Sequence, residues 1–188
     1  LPALRLEHLP HEKRLMSRWK HHLGTLLMVL VALLGVQWWQ TRHVPVGLAP
    51  DLPLTLVRAD GRTHHTTLVQ WRAAHPGRPV VLHFWAEWCP ICRTEEHSIT
   101  RLSQDWPVLT VAMQSGNPST VQRVLQQRQL TWHTAVDPQG DIARAFGFQA
   151  VPAMVVIDAK GRLRSPTAGY TSEIGMRLRI WWVALSSD

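Results

Sequence analysis

The chain has 188 residues, a formal net charge of +7 from 20 Lys+Arg against 13 Asp+Glu, and 45% apolar residues. That composition suits one globular domain plus an appendage and excludes a disordered chain. The two cysteines, Cys89 and Cys92, are too few and too close together to staple distant segments, so they are expected to serve chemistry or a metal.

The positive charge does not gather into a nucleic-acid footprint. Five basic residues and two acids fall within residues 1–22, and the remaining surplus is spread thinly with no base-recognition motif. No nucleic-acid partner is expected.

Residues 23–39, Leu23 to Trp39, form an uncharged, Leu- and Val-rich run of 17 residues, at the short end of the ~17–25 that cross a bilayer as helix. Trp19 before it and Trp38-Trp39 after it suit the two interfacial layers. No small-x-small cleavage site follows, so a retained signal anchor is expected rather than a cleaved signal peptide. Lys13, Arg14, Arg18 and Lys20 would hold residues 1–22 in the cytoplasm. The rest of the chain would then lie in the periplasm of a bacterium, tethered by a single pass to its inner membrane. Met16-Ser17-Arg18 reads as a compact start, which makes residues 1–15 an expected upstream extension.

Residues 40–53, with Pro45, Pro50, Pro53 and Gly47, read as a linker, and residues 54–188 as the folded domain. Leu54–Val57 and Thr63–Thr67 flank the turn Ala59-Asp60-Gly61-Arg62, which predicts a hairpin. A short helix is expected over Leu68–Ala74. Pro79–Ala86 is apolar and β-branched or aromatic, the pattern of a strand buried on both faces. Helix is expected over Arg93–Gln104, strand over Val108–Met113, and a helix from Pro118 to Gln129 capped by Asn117. Strands follow at Thr134–Val136, Ala153–Asp158 and Arg162–Ala168, with a helix at Asp141–Phe146. Ser172 caps a last helix, with Ile174, Leu178, Trp181 and Leu185 along one side and Trp181-Trp182 expected to pack it onto the sheet. The whole predicts an α/β sandwich.

Cys89-Pro90-Ile91-Cys92 sits where a buried strand gives way to a helix. Unpaired N–H groups at a helix N-terminus favour an anion, so the first sulfur can be a thiolate near neutral pH. Cys89 would attack a partner's disulfide and Cys92, one turn on, would resolve the mixed disulfide. Haem attachment needs His after the second cysteine, where Arg93 stands, and zinc needs two further ligands, for which only His83 and His97 are near. His64-His65 offers a weak copper site, since neighbours on a strand face opposite ways. Trp88 is a candidate groove residue, and Trp85 either groove or core.

Phe84 to Cys92 resembles the thioredoxin active-site segment, and Val151-Pro152 followed by a strand resembles that superfamily's cis-proline loop. With the anchor, the early hairpin and the Pro118–Gln129 helix, the chain is similar to the membrane-tethered TlpA/ResA and cytochrome-c-maturation thioredoxins, and among these most similar to the suppressor-of-copper-sensitivity D proteins. The resemblance implies a thioredoxin fold, a central mixed sheet flanked by helices, with no cofactor. It implies Cys89 as nucleophile, Cys92 as resolving cysteine and Pro152 as cis-proline, with a substrate groove of Trp88, Pro90, Ile91 and Val151. Glu95 matches an active-site glutamate of the tethered group, with a solvated helix acid as its plain alternative. His83 stands where thioredoxin has a buried aspartate, either to move protons or as hydrogen-bonded core. Ala153-Met154 after Pro152 departs from the cytochrome-maturation signature. The implied function is a protein disulfide reductant recharged by a membrane electron donor of the DsbD type. A disulfide-forming oxidant or a copper-handling module on the same thiols remain open.

Overall fold

The computed structural model describes residues 11–186, with side chains from residue 22 onward. Residues 1–10 of the segment read as an upstream extension, and the Trp19 side chain, lie outside the described residues. The chain divides into two compact units, residues 1–39 and 40–188.

Helix α1 runs His11–Thr41. Its stretch His22–Thr41 has a mean hydropathy of 1.6 over 20 residues with none of its apolar window buried in the protein. At ~1.5 Å per residue this stretch is about 30 Å long, the thickness of a bilayer's hydrocarbon core, and is consistent with a membrane anchor.

The second unit is built on a seven-stranded mixed sheet of order β2-β1-β5-β4-β3-β6-β7. Strands β1 (Pro53–Val57) and β2 (Thr63–Thr67) form the expected hairpin, and α2 (Leu68–Ala73) follows on a capping box between Thr67 and Gln70. Strand β3 (Val80–Trp85) is central, parallel to β4 (Val108–Met113) and antiparallel to β6 (Ala153–Ile157). All six of its residues are buried. Val80, Leu82 and Phe84 join one core layer with Leu68 of α2 and Ala143 of α5 (Asp141–Ala145). Val81 and Trp85 join the other, with Ile99 and Leu102 of α3 (Pro90–Asp105), Val121 and Leu125 of α4 (Pro118–Gln127), and Met176, Ile180 and Val183 of α6 (Glu173–Leu185). Strand β5 (Thr134–Asp137) continues the parallel part beside β4, and β7 (Leu163–Ala168) closes the far edge against β6. Trp85 is core, 1% exposed.

Two expectations need correction. The stretch read as a linker is strapped onto the domain: Ala49 N–H donates to the Gly161 carbonyl (2.8 Å), Leu163 N–H donates to Gly47 (2.8 Å), and Leu48 bridges Arg162. Val44, Ala49 and Leu52 pack against the core. Gly147, at φ +78°, is needed here because a Cβ would collide with the His43 carbonyl. The second correction concerns α6. Trp181 and Trp182 are 62% and 72% exposed, and Ile174, Leu178 and Leu185 also face outward. Met176, Ile180 and Val183 form the buried side instead. Both stripes are apolar at helical spacing, and the sheet takes the one with the smaller side chains.

Candidate active site

The end of β3 and the start of α3 put the cysteines together. Cys89 is the N-cap of α3, extended at φ −87°, ψ 107°, with Pro90 in the first turn, where its missing N–H costs nothing. The Cys92 N–H donates to Cys89 Sγ at 3.1 Å. A capping sulfur thus accepts from one of the otherwise unpaired donors of the helix end. The two cysteines are joined as a disulfide with Cα atoms 5.3 Å apart. They are 4% and 2% exposed, while Trp88 and Ile91 beside them are 57% and 52% exposed.

The Val151 carbonyl lies 3.8 Å from Cys89 Sγ, and the Val151–Pro152 peptide is cis. The Pro152 carbonyl accepts from Gly169 N–H at 2.8 Å, which ties this loop to the end of β7. Trp88, Pro90 and Ile91 adjoin the cysteines along the chain, and Val151 faces Cys89 Sγ from the cis-proline loop.

His83 and Glu95 are separated in sequence and paired in space. His83 follows Val81 and precedes Trp85 on one face of β3, and Glu95 is one turn beyond Cys92 on the buried side of α3. His83 Nε2 and Glu95 Oε2 are 3.0 Å apart, with both side chains 1% exposed. Thr171 N–H, at the approach to α6, donates to the other carboxylate oxygen at 2.6 Å. His83 Nδ1 is buried without a hydrogen-bond partner. Glu95 is thus not a solvated helix acid, and the lone core histidine has a carboxylate partner. A charged or polar pair this deep is stable only because its bonds are made internally.

Several supporting residues were not legible as such. Trp88 Nε1 donates to the Gln114 carbonyl (3.1 Å), and Glu87 N–H donates to Ser115 Oγ (2.9 Å), which docks the segment before Cys89 on the loop after β4. Arg128 donates to both the Glu87 carbonyl (3.0 Å) and Glu96 Oε1 (2.7 Å). Trp132 packs edge-on to Trp85 with centroids 5.6 Å apart and donates to Thr100. These partners come from 26 to 41 residues away along the chain, or 32 in the case of Trp132 and Thr100, and carry no local motif. His64 and His65 lie exposed on edge strand β2, His65 against Thr55 Oγ1.

The AhpC/TSA family model matches residues 48–165. A thioredoxin-like protein of Haemophilus influenzae is 31% identical over 106 residues, 56% of this chain and 63% of its own. A DsbE homologue described as a thiol:disulfide interchange protein in Paracoccus denitrificans is 34% identical over 50% of this chain and 52% of its own. The chain thus spans between half and two thirds of the length of these two relatives. The thiol-disulfide oxidoreductase ResA of Geobacillus thermodenitrificans is 28% identical over 77% of this chain and 84% of its own. The exposed lipoprotein thioredoxin of Streptococcus pneumoniae superposes with a TM-score of 0.59 at 21% identity, covering 71% of this chain and 99% of that one. A secreted thiol-disulfide isomerase of Corynebacterium glutamicum gives 0.62 at 15%, covering 73% and 86%. The family model covers more than half of the sequence and the solved structures superpose over 71% and 73% of it, so this chain belongs to the AhpC/TSA family and has a thioredoxin-like fold.

Proposed function

We propose that the protein is a thiol:disulfide oxidoreductase, tethered to the bacterial inner membrane with residues 54–188 in the periplasm, that reduces disulfides in protein substrates. The observation that carries this reading is Cys89 as a capping sulfur on α3, accepting the Cys92 N–H and facing the Val151 carbonyl. Helix-end donors stabilise a thiolate on Cys89, the species that attacks.

In the reduced protein the Cys89 thiolate attacks one sulfur of the substrate disulfide. A mixed disulfide forms and the substrate's other sulfur leaves as thiolate, taking a proton from solvent. Cys92 then gives up its proton and attacks Cys89 Sγ, which releases the second substrate thiol and leaves the Cys89–Cys92 disulfide. Two electrons have passed to the substrate. Cys92 is buried, where the neutral thiol is favoured, so its deprotonation needs a base at hand. We assign that role to Glu95, one helical turn beyond Cys92, together with His83 of β3, to which it is bonded. The groove of Trp88, Pro90, Ile91 and Val151 receives the substrate chain beside the sulfur.

Two electrons must be returned by a membrane dithiol donor of the DsbD type. The reducing direction rests on the resemblance to tethered thioredoxins. Thiol trapping of the full chain equilibrated against glutathione tests it: thioredoxin-fold centres run from about −270 to about −120 mV. A value near the lower end supports a reductant, and one near the upper end makes the protein an oxidant. A Cys92→Ala variant should accumulate substrate mixed disulfides on Cys89, and their absence would overturn the exchange activity itself.

A further inference from the structure

The outward stripe of α6 calls for an occupant. Five large apolar side chains, Ile174, Leu178, Trp181, Trp182 and Leu185, stand more than half exposed on one 13-residue helix. A patch of this kind on a soluble surface marks a contact.

Topology locates it. The sulfurs lie at the end of the sheet where β3 stops. The other end holds Val80, paired with Ile157, and the Pro107 carbonyl, which accepts from Val81 N–H. Helix α6 runs toward that other end: Thr171 is level with Glu95, and Arg177 pairs with Asp105, the last residue of α3. Trp181, Trp182 and Leu185 therefore lie on the outward side of the part of α6 that is remote from Cys89. The bridge of Gly47–Ala49 to Gly161–Leu163 lies just beyond Ile157 at that same end.

The charge there is one-sided. Asp60, Asp105 and Asp158 are each engaged by an arginine, while Arg78, Arg162 and Arg179 make no ion pair among the described residues. Arg78 stacks on Trp106, 5.6 Å from the ring centroid. Arg179 is half-buried with no carboxylate partner among the described residues, and burial lowers its pKa. A cavity of about 380 Å³ opens beside Trp106 with Arg58, His75 and His133 in its wall. Trp and Leu on one helix face with arginines around them is the composition of an interfacial helix on anionic lipid.

We propose that this end of the domain docks on the surface of an anionic bilayer, with Trp181, Trp182 and Leu185 entering the headgroup layer and Arg78, Arg162 and Arg179 facing lipid phosphates, so that the Cys89 groove opens away from the membrane. The proposal rests on the reading of α1 as an anchor, and the test separates the two. Full-length protein carrying Leu185→Cys is oxidised at Cys89–Cys92, labelled with a nitroxide and assembled into nanodiscs of phosphatidylcholine and phosphatidylglycerol. A Ser119→Cys label at the Cys89 end serves as reference. Failure to co-elute with the discs overturns the anchor. With co-elution, docking requires an oxygen-to-nickel-chelate accessibility ratio severalfold higher at 185 than at 119, falling toward the reference in Trp181→Ser/Trp182→Ser. Equal ratios at the two positions overturn docking, and spin–spin broadening at 185 assigns the face to a second copy instead.

Discussion

His83 Nε2 lies 3.0 Å from Glu95 Oε2, and neither side chain reaches solvent. The strand that leads into the cysteine motif and the helix that leaves it are thereby joined by one polar bond inside an apolar layer. Glu95→Ala leaves the His83 and Thr171 donors without an acceptor and should cost about 1–3 kcal/mol for each. Glu95→Gln keeps an acceptor for Thr171 and should lose less stability. It removes the base proposed for Cys92, however, and should slow the resolving step by about 10²-fold. Urea unfolding measures the first effect, and rapid-quench trapping of the mixed disulfide across pH measures the second. Equal resolving rates in Glu95→Gln and wild type would leave the pair a structural role only.

Asp158 holds the turn onto which the strap docks. Its carboxylate accepts from Arg162 N–H at 2.8 Å and Arg164 Nε at 3.1 Å. Burial pushes its pKa up, but these hydrogen bonds and the Arg164 charge outweigh burial and hold it below the ordinary carboxylate value. A depressed folded pKa contributes stability that is complete above the unfolded carboxylate range and is lost as pH falls through the folded value. Asp158→Asn should therefore destabilise at neutral pH by about 1–3 kcal/mol. Urea titrations repeated at falling pH should bring variant and wild type together, and a difference that persists in acid would show that the charge is not the cause.

The two apolar stripes of α6 should respond differently to truncation. Ile180 is fully buried, so Ile180→Ala should cost about 2–5 kcal/mol. Leu178 is 61% exposed, and Leu178→Ala should stay within about 0.5 kcal/mol when the protein is held in detergent. Chemical denaturation of the two variants under identical conditions decides this.

Arg128 supports the cysteine segment from a distance. Its guanidinium spans the Glu87 carbonyl and Glu96, and the Arg128 and Glu96 side chains are only 17% and 18% exposed, so Arg128→Met should destabilise by about 1–3 kcal/mol. Amide exchange at Glu87 and Trp88 should rise more than at β4, because the docking of this segment on Ser115 loses its second support. Uniform acceleration across the domain would point instead to a global loss of stability.

Strand β3 and the Cys-Pro-Ile-Cys turn were legible because both depend on neighbours in sequence: an apolar run, a proline in the first helical turn, a capping side chain. The hairpin, the Asn117 and Ser172 caps and the strand positions follow for the same reason. Helix α3 begins at Pro90 rather than Arg93 because the cysteine sulfur itself serves as cap. The linker was misread because Pro and Gly argue only against regular structure. They do not oppose a single backbone bridge such as Leu48 to Arg162.

By itself the sequence determined the cysteine pair at a strand-to-helix junction, the apolar span and the order of strands and helices, since each is written in local residue type and spacing. Only the tertiary structure decided that His83 and Glu95 are one unit and that α6 buries Met176, Ile180 and Val183 while turning its tryptophans out. Those outcomes depend on which side chains from distant segments arrive at the same place, and an apolar residue at helical spacing carries the same signal whether the sheet or the solvent side receives it.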